Sequence, residues 1–132
     1  MKKAKEWSFM GKILIVDDDH GTTKLLEFML SKEGYDVASV NDGGETLPTA
    51  LAYNPNLILL DVMMPSKDGF EVCKDLREKS QFAHTPIVFF TSVSDVDKKA
   101  AAFGSGASDY ILKPIHPREL KLRIQALIGR PG

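Results

Sequence analysis

The sequence has almost no cysteine, little net charge and no long apolar run, and each shortage removes a class of protein. Cys73 is the only cysteine in 132 residues. No internal disulfide can form, and a reducing, cytoplasmic setting is the economical expectation. Seventeen lysines and arginines stand against eighteen aspartates and glutamates, a net charge of −1. No basic stripe of the kind that draws a protein onto phosphate backbones is present, so direct nucleic-acid binding by this chain is not expected. The apolar runs, such as Leu57 to Leu60 and Ile87 to Phe90, fall far short of the roughly 18 residues that suggest a membrane span. The stretch Met1 to Met10 opens with lysines, but its apolar residues are scattered. It therefore lacks the continuous core of a secretory signal and reads as a short extension. The histidines are also few. His20, His84 and His116 have no second His or Cys at ligand spacing, so they read as loop residues rather than metal ligands or phosphodonors.

What is present fits one globular domain with a sizeable core: 43% hydrophobic and 27% charged residues, in a length that suits a single unit. Short apolar, β-branched runs alternate with longer amphipathic segments, the pattern of a parallel sheet covered by helices on both faces. The strands are expected at Lys12 to Val16, Asp36 to Val40, Leu57 to Leu60, Ile87 to Phe90 and Tyr110 to Leu112. Helices are expected from about Thr22 to Lys32, Glu45 to Tyr53, after Asp68-Gly69, from Val96 to Phe103, and from Pro117 to the residue before Gly129. Pro48 is tolerable in the second of these only near its first turn, where the missing N–H has no intrahelical partner. Cys73 falls at helical spacing with Phe70, Val72 and Leu76, so it reads as packing rather than chemistry. The alanine-rich fourth helix is the least anchored by large apolar residues and is the one expected to shift.

In an open α/β sheet, sites form where strand C-terminal ends meet the following loops. Here the first strand ends in Asp17-Asp18-Asp19, the third in Asp61, the fourth in Thr91-Ser92 and the fifth in Lys113-Pro114. Carboxylates gathered at one edge resist joint ionisation unless a cation sits between them. Mg²⁺ suits that role, since it is commonly held by one or two carboxylates, waters and phosphate oxygens. Asp61 then becomes a candidate nucleophile toward a phosphoryl group, with Lys113 as the cation that offsets charge on the phosphoryl oxygens and Thr91 as a hydroxyl donor. Each feature alone has a plainer reading: a solvated Asp loop or N-cap, a surface lysine at a turn, a Thr-Ser turn opener. Their occurrence at successive strand ends favours the shared site.

The runs Ile-Leu-Ile-Val-Asp-Asp-Asp (13 to 19), Leu-Leu-Asp-Val-Met-Met-Pro (59 to 65) with Asp68-Gly69, Phe-Thr-Ser (90 to 92) and Asp-Tyr-Ile-Leu-Lys-Pro (109 to 114) resemble the receiver domain of two-component response regulators. The resemblance covers about Lys12 to Ile128. It implies a doubly wound, flavodoxin-like five-stranded sheet of order 2-1-3-4-5. Residues 1–11 would be an extension, 12–128 the receiver domain, and 129–132 a tail or the start of a linker. It implies that Asp61 accepts a phosphoryl group from the phosphohistidine of a sensor histidine kinase or phosphotransfer protein, or from small donors such as acetyl phosphate. It assigns Mg²⁺ to Asp17, Asp18, Asp61 and the backbone carbonyl of Met63, and leaves Asp19 facing the following loop. It makes Thr91 and Tyr110 a switch pair, although Tyr110 taken alone reads as a half-buried strand aromatic with a wet hydroxyl. It also implies a cis Lys113–Pro114 peptide and, because Met63 and Val93 are apolar where water would approach, slow self-dephosphorylation.

Members of that family signal through the face formed by the fourth helix, fifth strand and fifth helix, toward a downstream protein or an output domain. Lys99, Asp109, Glu119 and Arg123 match charges that pair across a phosphorylation-promoted homodimer in regulators with winged-helix domains, while Lys121 stands where a small apolar residue is usual there. The chain reads as a phosphoacceptor rather than an enzyme acting on other molecules, either free-standing or cut from a longer regulator. A Mg²⁺-dependent phosphohydrolase is the main rival. Such enzymes commonly carry a second Asp two residues after the nucleophile, and Met63 occupies that place. A receiver that binds partners without phosphorylation would be favoured by loss of an acidic residue, of Asp61 or of Lys113, and all are present.

Overall fold

The computed structural model describes residues 11–129. Five strands, β1 (Lys12–Val16), β2 (Asp36–Val40), β3 (Leu57–Leu60), β4 (Ile87–Thr91) and β5 (Asp109–Leu112), form one sheet in the order β2-β1-β3-β4-β5. Every neighbouring pair is parallel. Five α-helices alternate with them: α1 (His20–Lys32), α2 (Thr46–Tyr53), α3 (Gly69–Arg77), α4 (Val96–Gly104) and α5 (Pro117–Ile128). This is the doubly wound arrangement that the sequence pattern implies.

The central strands bury both faces, which is why they read as continuous apolar runs. Leu14, Val16, Ile58, Leu60, Ile87 and Phe89 pack with Ala50, Val72, Cys73, Leu76 and Ala102, so α2, α3 and α4 cover one face. Ile13, Ile15, Leu57, Leu59, Val88 and Phe90 pack with Leu26, Leu30, Leu120 and Ile124, so α1 and α5 cover the other. Each fully buried Leu, Ile or Phe contributes roughly 1.5–3 kcal/mol of transfer free energy, the main force holding the layers. Among the described residues no helix is long and apolar enough to cross a membrane.

Local chemistry adjusts several boundaries. α1 starts at His20 rather than Thr22, because Asp19 is its N-cap and accepts from the Gly21 N–H at 3.3 Å and from Thr22 Oγ1 at 2.6 Å. His20 is therefore an exposed first-turn helix residue and not a loop residue. A 3₁₀ turn, Gly43–Glu45, precedes α2. Pro48 is the third residue of that helix, where its missing N–H leaves no broken intrahelical bond. Asp68 and Glu71 form a reciprocal capping box at the start of α3. His116 lies in the loop before α5, as expected, and also caps that helix, its Nδ1 accepting from the Arg118 N–H at 3.1 Å. β4 extends one residue further than expected, to Thr91, and β5 begins one earlier, at Asp109.

Candidate functional site

The parallel register brings the ends of β1, β3, β4 and β5 to one edge. Asp17 follows β1 and is 3% exposed, and Asp61 follows β3 and is 9% exposed. Ladder hydrogen bonds from the Asp61 N–H to the Val16 carbonyl (2.9 Å) and from the Asp17 N–H to the Val40 carbonyl (3.2 Å) fix these positions. One carboxylate oxygen from each of Asp17, Asp18 and Asp61 can be chosen so that all three lie within 4.8 Å of one another. Lys113 Nζ bonds Asp17 Oδ2 at 2.6 Å and stands 3.6 Å from Asp61 Oδ2, with the Phe90 ring centroid 5.4 Å away. The Lys113–Pro114 peptide is cis. Three clustered carboxylates, two of them beside one ammonium, thus leave an excess of negative charge on hard oxygen donors that fits a small divalent cation.

The backbone around Asp61 is shaped as well. The Val62 N–H donates to Asp61 Oδ1 at 2.8 Å, which leaves Oδ2 turned toward Lys113. The Gly69 N–H donates to the Val62 carbonyl at 2.8 Å, docking the first turn of α3 against this strand end. A Cβ at position 69 would run into the Asp61 carbonyl oxygen and Phe89, so the glycine after Asp68 is a requirement of close approach. A cleft of about 270 Å³ opens beside the cluster, lined by Asp18, Met63, Met64 and Pro65. Met63 is 61% exposed at its mouth.

Thr91 and Tyr110 converge on one residue. The buried Thr91 Oγ1 accepts from the Val93 N–H at 3.3 Å, and the Tyr110 hydroxyl donates to the Val93 carbonyl. Tyr110 is buried, with its ring 6.1 Å from that of Phe89 and its hydroxyl bonded to protein, so it is more enclosed than the half-buried strand aromatic that the residue alone suggests. Its phenol is pushed above the ordinary tyrosine value by burial first, then by the negative charges of Asp61 and Asp95. Nothing in the sequence signalled Val93 as the shared partner, because its backbone rather than its side chain does the linking. The lysine of β5's end is tied in too, since the Lys113 N–H donates to the Thr91 carbonyl at 2.8 Å.

Of the residues assigned to the output face, Arg123 forks onto Asp109, with Nη2 2.8 Å and Nε 3.0 Å from Oδ2, and reaches Glu119 Oε2 at 3.4 Å. Lys99 borders the same cleft as Glu119, Arg123 and His116. Lys121 turns the other way and pairs with Glu33 at 3.2 Å. None of the histidines joins the acidic group: His84 lies before β4, His116 precedes α5, and His20 opens α1 two residues after Asp18. Cys73 is buried, its thiol donates to the Ser105 carbonyl at 3.4 Å, and burial raises its pKa, as suits a packing residue.

Comparison with known proteins agrees with this geometry. The model of the response regulator receiver domain family matches residues 13–125. A probable transcriptional regulator, ycf27 of Porphyridium aerugineum, is 44% identical over 119 residues, covering 90% of this chain and 48% of the relative. The chain spans about half the length of the curated relatives it matches. The structure of chemotaxis protein CheY4 of Vibrio cholerae superimposes with a TM-score of 0.85 at 34% identity, covering 89% of this chain and 98% of that one. The receiver domain of sensor histidine kinase PA1611 from Pseudomonas aeruginosa PAO1 was solved with a magnesium ion in its active-site cleft. It gives a TM-score of 0.83 at 28% identity, covering 90% of this chain and 98% of that one. The chain therefore belongs to the response regulator receiver domain family of two-component systems.

Proposed function

We propose that this chain is a cytoplasmic phosphoacceptor that takes a phosphoryl group onto Asp61 and changes its α4–β5–α5 surface in response. The observation that carries the reading is the clustering of buried Asp17 and Asp61 with exposed Asp18, the first two held against the Lys113 ammonium. Asp17, Asp18, Asp61 and the Met63 carbonyl would hold Mg²⁺, which supplies positive charge to the phosphoryl oxygens. An Asp61 carboxylate oxygen forms the new bond to phosphorus while the P–N bond of a donor phosphohistidine breaks, and the departing imidazole takes up a proton. The Val62 N–H orients the Asp61 carboxylate, Lys113 meets one equatorial oxygen, and the Thr91 hydroxyl donates to another.

The donor would be a sensor histidine kinase, a phosphotransfer protein or acetyl phosphate. The Val93 backbone, held by both Thr91 and Tyr110, gives the new charge a route to the outer face. A difference of about 1.4 kcal/mol in how the two arrangements accept the phosphoryl group shifts their ratio tenfold. The recipient would be a downstream protein or a linked output domain. Residues 12–128 would form the receiver unit, and a phosphorylation-promoted homodimer through this face would exchange the Asp109–Arg123 pair between copies.

Intact-mass spectrometry after incubation with acetyl phosphate and Mg²⁺ tests the chemistry. A gain of one phosphoryl group that disappears with EDTA and in Asp61→Asn is the expected result, with a release half-life well beyond seconds. No gain from acetyl phosphate or from a kinase would favour a receiver that binds partners without phosphorylation.

A further inference from the structure

The turn between β2 and α2 contributes nothing to the acidic cluster, yet its consecutive residues grip both loops that do. Asn41 Nδ2 donates to the Asp17 carbonyl at 2.8 Å and to Thr23 Oγ1 at 3.2 Å. Thr23 is buried, and its own hydroxyl donates to the His20 carbonyl at 3.1 Å. The amide of Asn41 therefore ties the peptide joining Asp17 to Asp18 to the first turn of α1. Asp42 Oδ1 accepts from the Gly44 N–H at 2.8 Å and from the Ser66 hydroxyl, so the next residue holds the loop that follows Asp61. Gly43 is buried, and any Cβ there would collide with the Lys67 carbonyl oxygen of that same loop.

We infer that the 41–43 turn sets the separation of the two loops carrying Asp18 and Met63, with Asn41 acting as a positioning residue for Asp18. This rests on the reading of the cluster as a Mg²⁺ site. The Asp18 side chain is exposed, so its place follows from its backbone, and that backbone is held by the Asn41 amide at the preceding carbonyl. Mg²⁺ demands near-ideal octahedral geometry at short distances, so a drift of either loop is felt directly in affinity. Groups that orient ligands from behind typically change metal affinity about 10- to 100-fold when removed. The Asn41 contact lies on a backbone carbonyl one residue from the ligand, which favours the lower end of that range.

The test is a Mg²⁺ titration of the full chain followed by amide NMR shifts, which report fold and affinity together. Asn41→Leu keeps the side-chain volume and removes the donor. Its Mg²⁺ dissociation constant should rise about tenfold with the dispersed spectrum retained, while the acetyl phosphate rate at saturating Mg²⁺ returns near the wild-type value. Should that variant lose its dispersed spectrum, Asp42→Ala probes the turn from the other loop and should also weaken Mg²⁺. An affinity that stays within about twofold of wild type in a folded variant overturns the inference. Asp18→Asn separates the two levels. Mg²⁺ shifts that survive in Asp18→Asn, or that are absent from the wild type, would overturn the metal-site reading and this inference with it. Shifts lost in Asp18→Asn but unaltered in the turn variants would overturn only the role of the turn.

Discussion

Replacing Gly69 by alanine should damage stability and phosphoryl transfer together. The new Cβ would sit 2.8 Å from Phe89 Cε1 and 3.0 Å from the Val62 Cα, and closer still to the Asp61 carbonyl oxygen. Comfortable carbon contacts begin near about 3.5 Å, so α3 or the end of β3 must move by roughly 1 Å. Overpacking of this kind costs about 1–3 kcal/mol. The Gly69 N–H bond to the Val62 carbonyl, at 2.8 Å, is strained in the same step and is worth about 1 kcal/mol. Alanine's better helix propensity returns at most about 1 kcal/mol. The net loss should be about 2 kcal/mol, or a melting point lower by about 7 °C for a domain of this size. Because the backbone that moves carries Asp61, the rate of labelling by acetyl phosphate should fall by up to about 100-fold. Thermal unfolding by circular dichroism and intact-mass time courses measure the two effects. A variant that melts at or above the wild type and labels at its rate would refute the reasoning.

Removing the ammonium with Lys113→Met leaves Asp17 buried beside two other carboxylates. In EDTA the variant should lose about 3 kcal/mol in urea unfolding, Mg²⁺ should recover more of that than it gives the wild type, and unchanged stability in EDTA would count against the charge balance. Tyr110→Phe removes the hydroxyl bond to the Val93 carbonyl and should cost about 1 kcal/mol near neutral pH. Since the folded phenol titrates above its ordinary value, its stabilisation is complete below about pH 10 and fades as pH rises through the folded value. The gap between wild type and Tyr110→Phe should therefore close in strongly alkaline urea titrations, and a gap that widens would refute this. Arg77 lies at the opposite edge of the sheet, where Nη1 meets the Phe82 and Thr85 carbonyls at 2.6 Å and Nε meets that of Gly106 at 2.9 Å. Arg77→Ala should lose about 2 kcal/mol while labelling at the wild-type rate, so a large fall in rate would mean that the two edges are coupled.

The strands and the acidic cluster were legible because burial on both sheet faces writes itself as unbroken apolar runs, and because each run ends in a residue with little reason to be buried. Helix starts were less so. Asp19 is set apart from Asp17 and Asp18 by the family pattern, and an N-cap is one plain reading of such a cluster, but the pattern does not say which of the three caps the helix, since the side chains look alike in sequence and differ only in which N–H lies in reach. The same limit hid Asn41, whose bond to the Asp17 carbonyl joins residues 24 positions apart. The burial of Tyr110 was hidden for a related reason. An aromatic in a short strand reads as half-exposed unless a partner for its hydroxyl is known, and that partner is a backbone carbonyl in another loop. The charges on the output face show the opposite problem: Asp109 and Arg123 were found, but their pairing within the chain is not written in their spacing.

The unequal anchoring of α4 bears on how a charge at Asp61 could reach the surface. Only Ala102 of its residues is buried, whereas α5 buries Leu120 and Ile124 and so holds several kcal/mol more in apolar burial. The hold on α4 is also one-sided. Its C-terminal end is fixed by Ala102 and by the Cys73 thiol on the Ser105 carbonyl, while Val96 at the other end is 79% exposed. That loose end follows the 91–95 segment, whose Val93 is gripped by Thr91 from the site and by Tyr110 from β5. Were Thr91 drawn toward a phosphoryl group, as proposed above, the Val93 N–H would be released or dragged with it, and the fully buried strand behind it would resist following. The strain would then fall on the first turn of α4, which has little apolar area to lose.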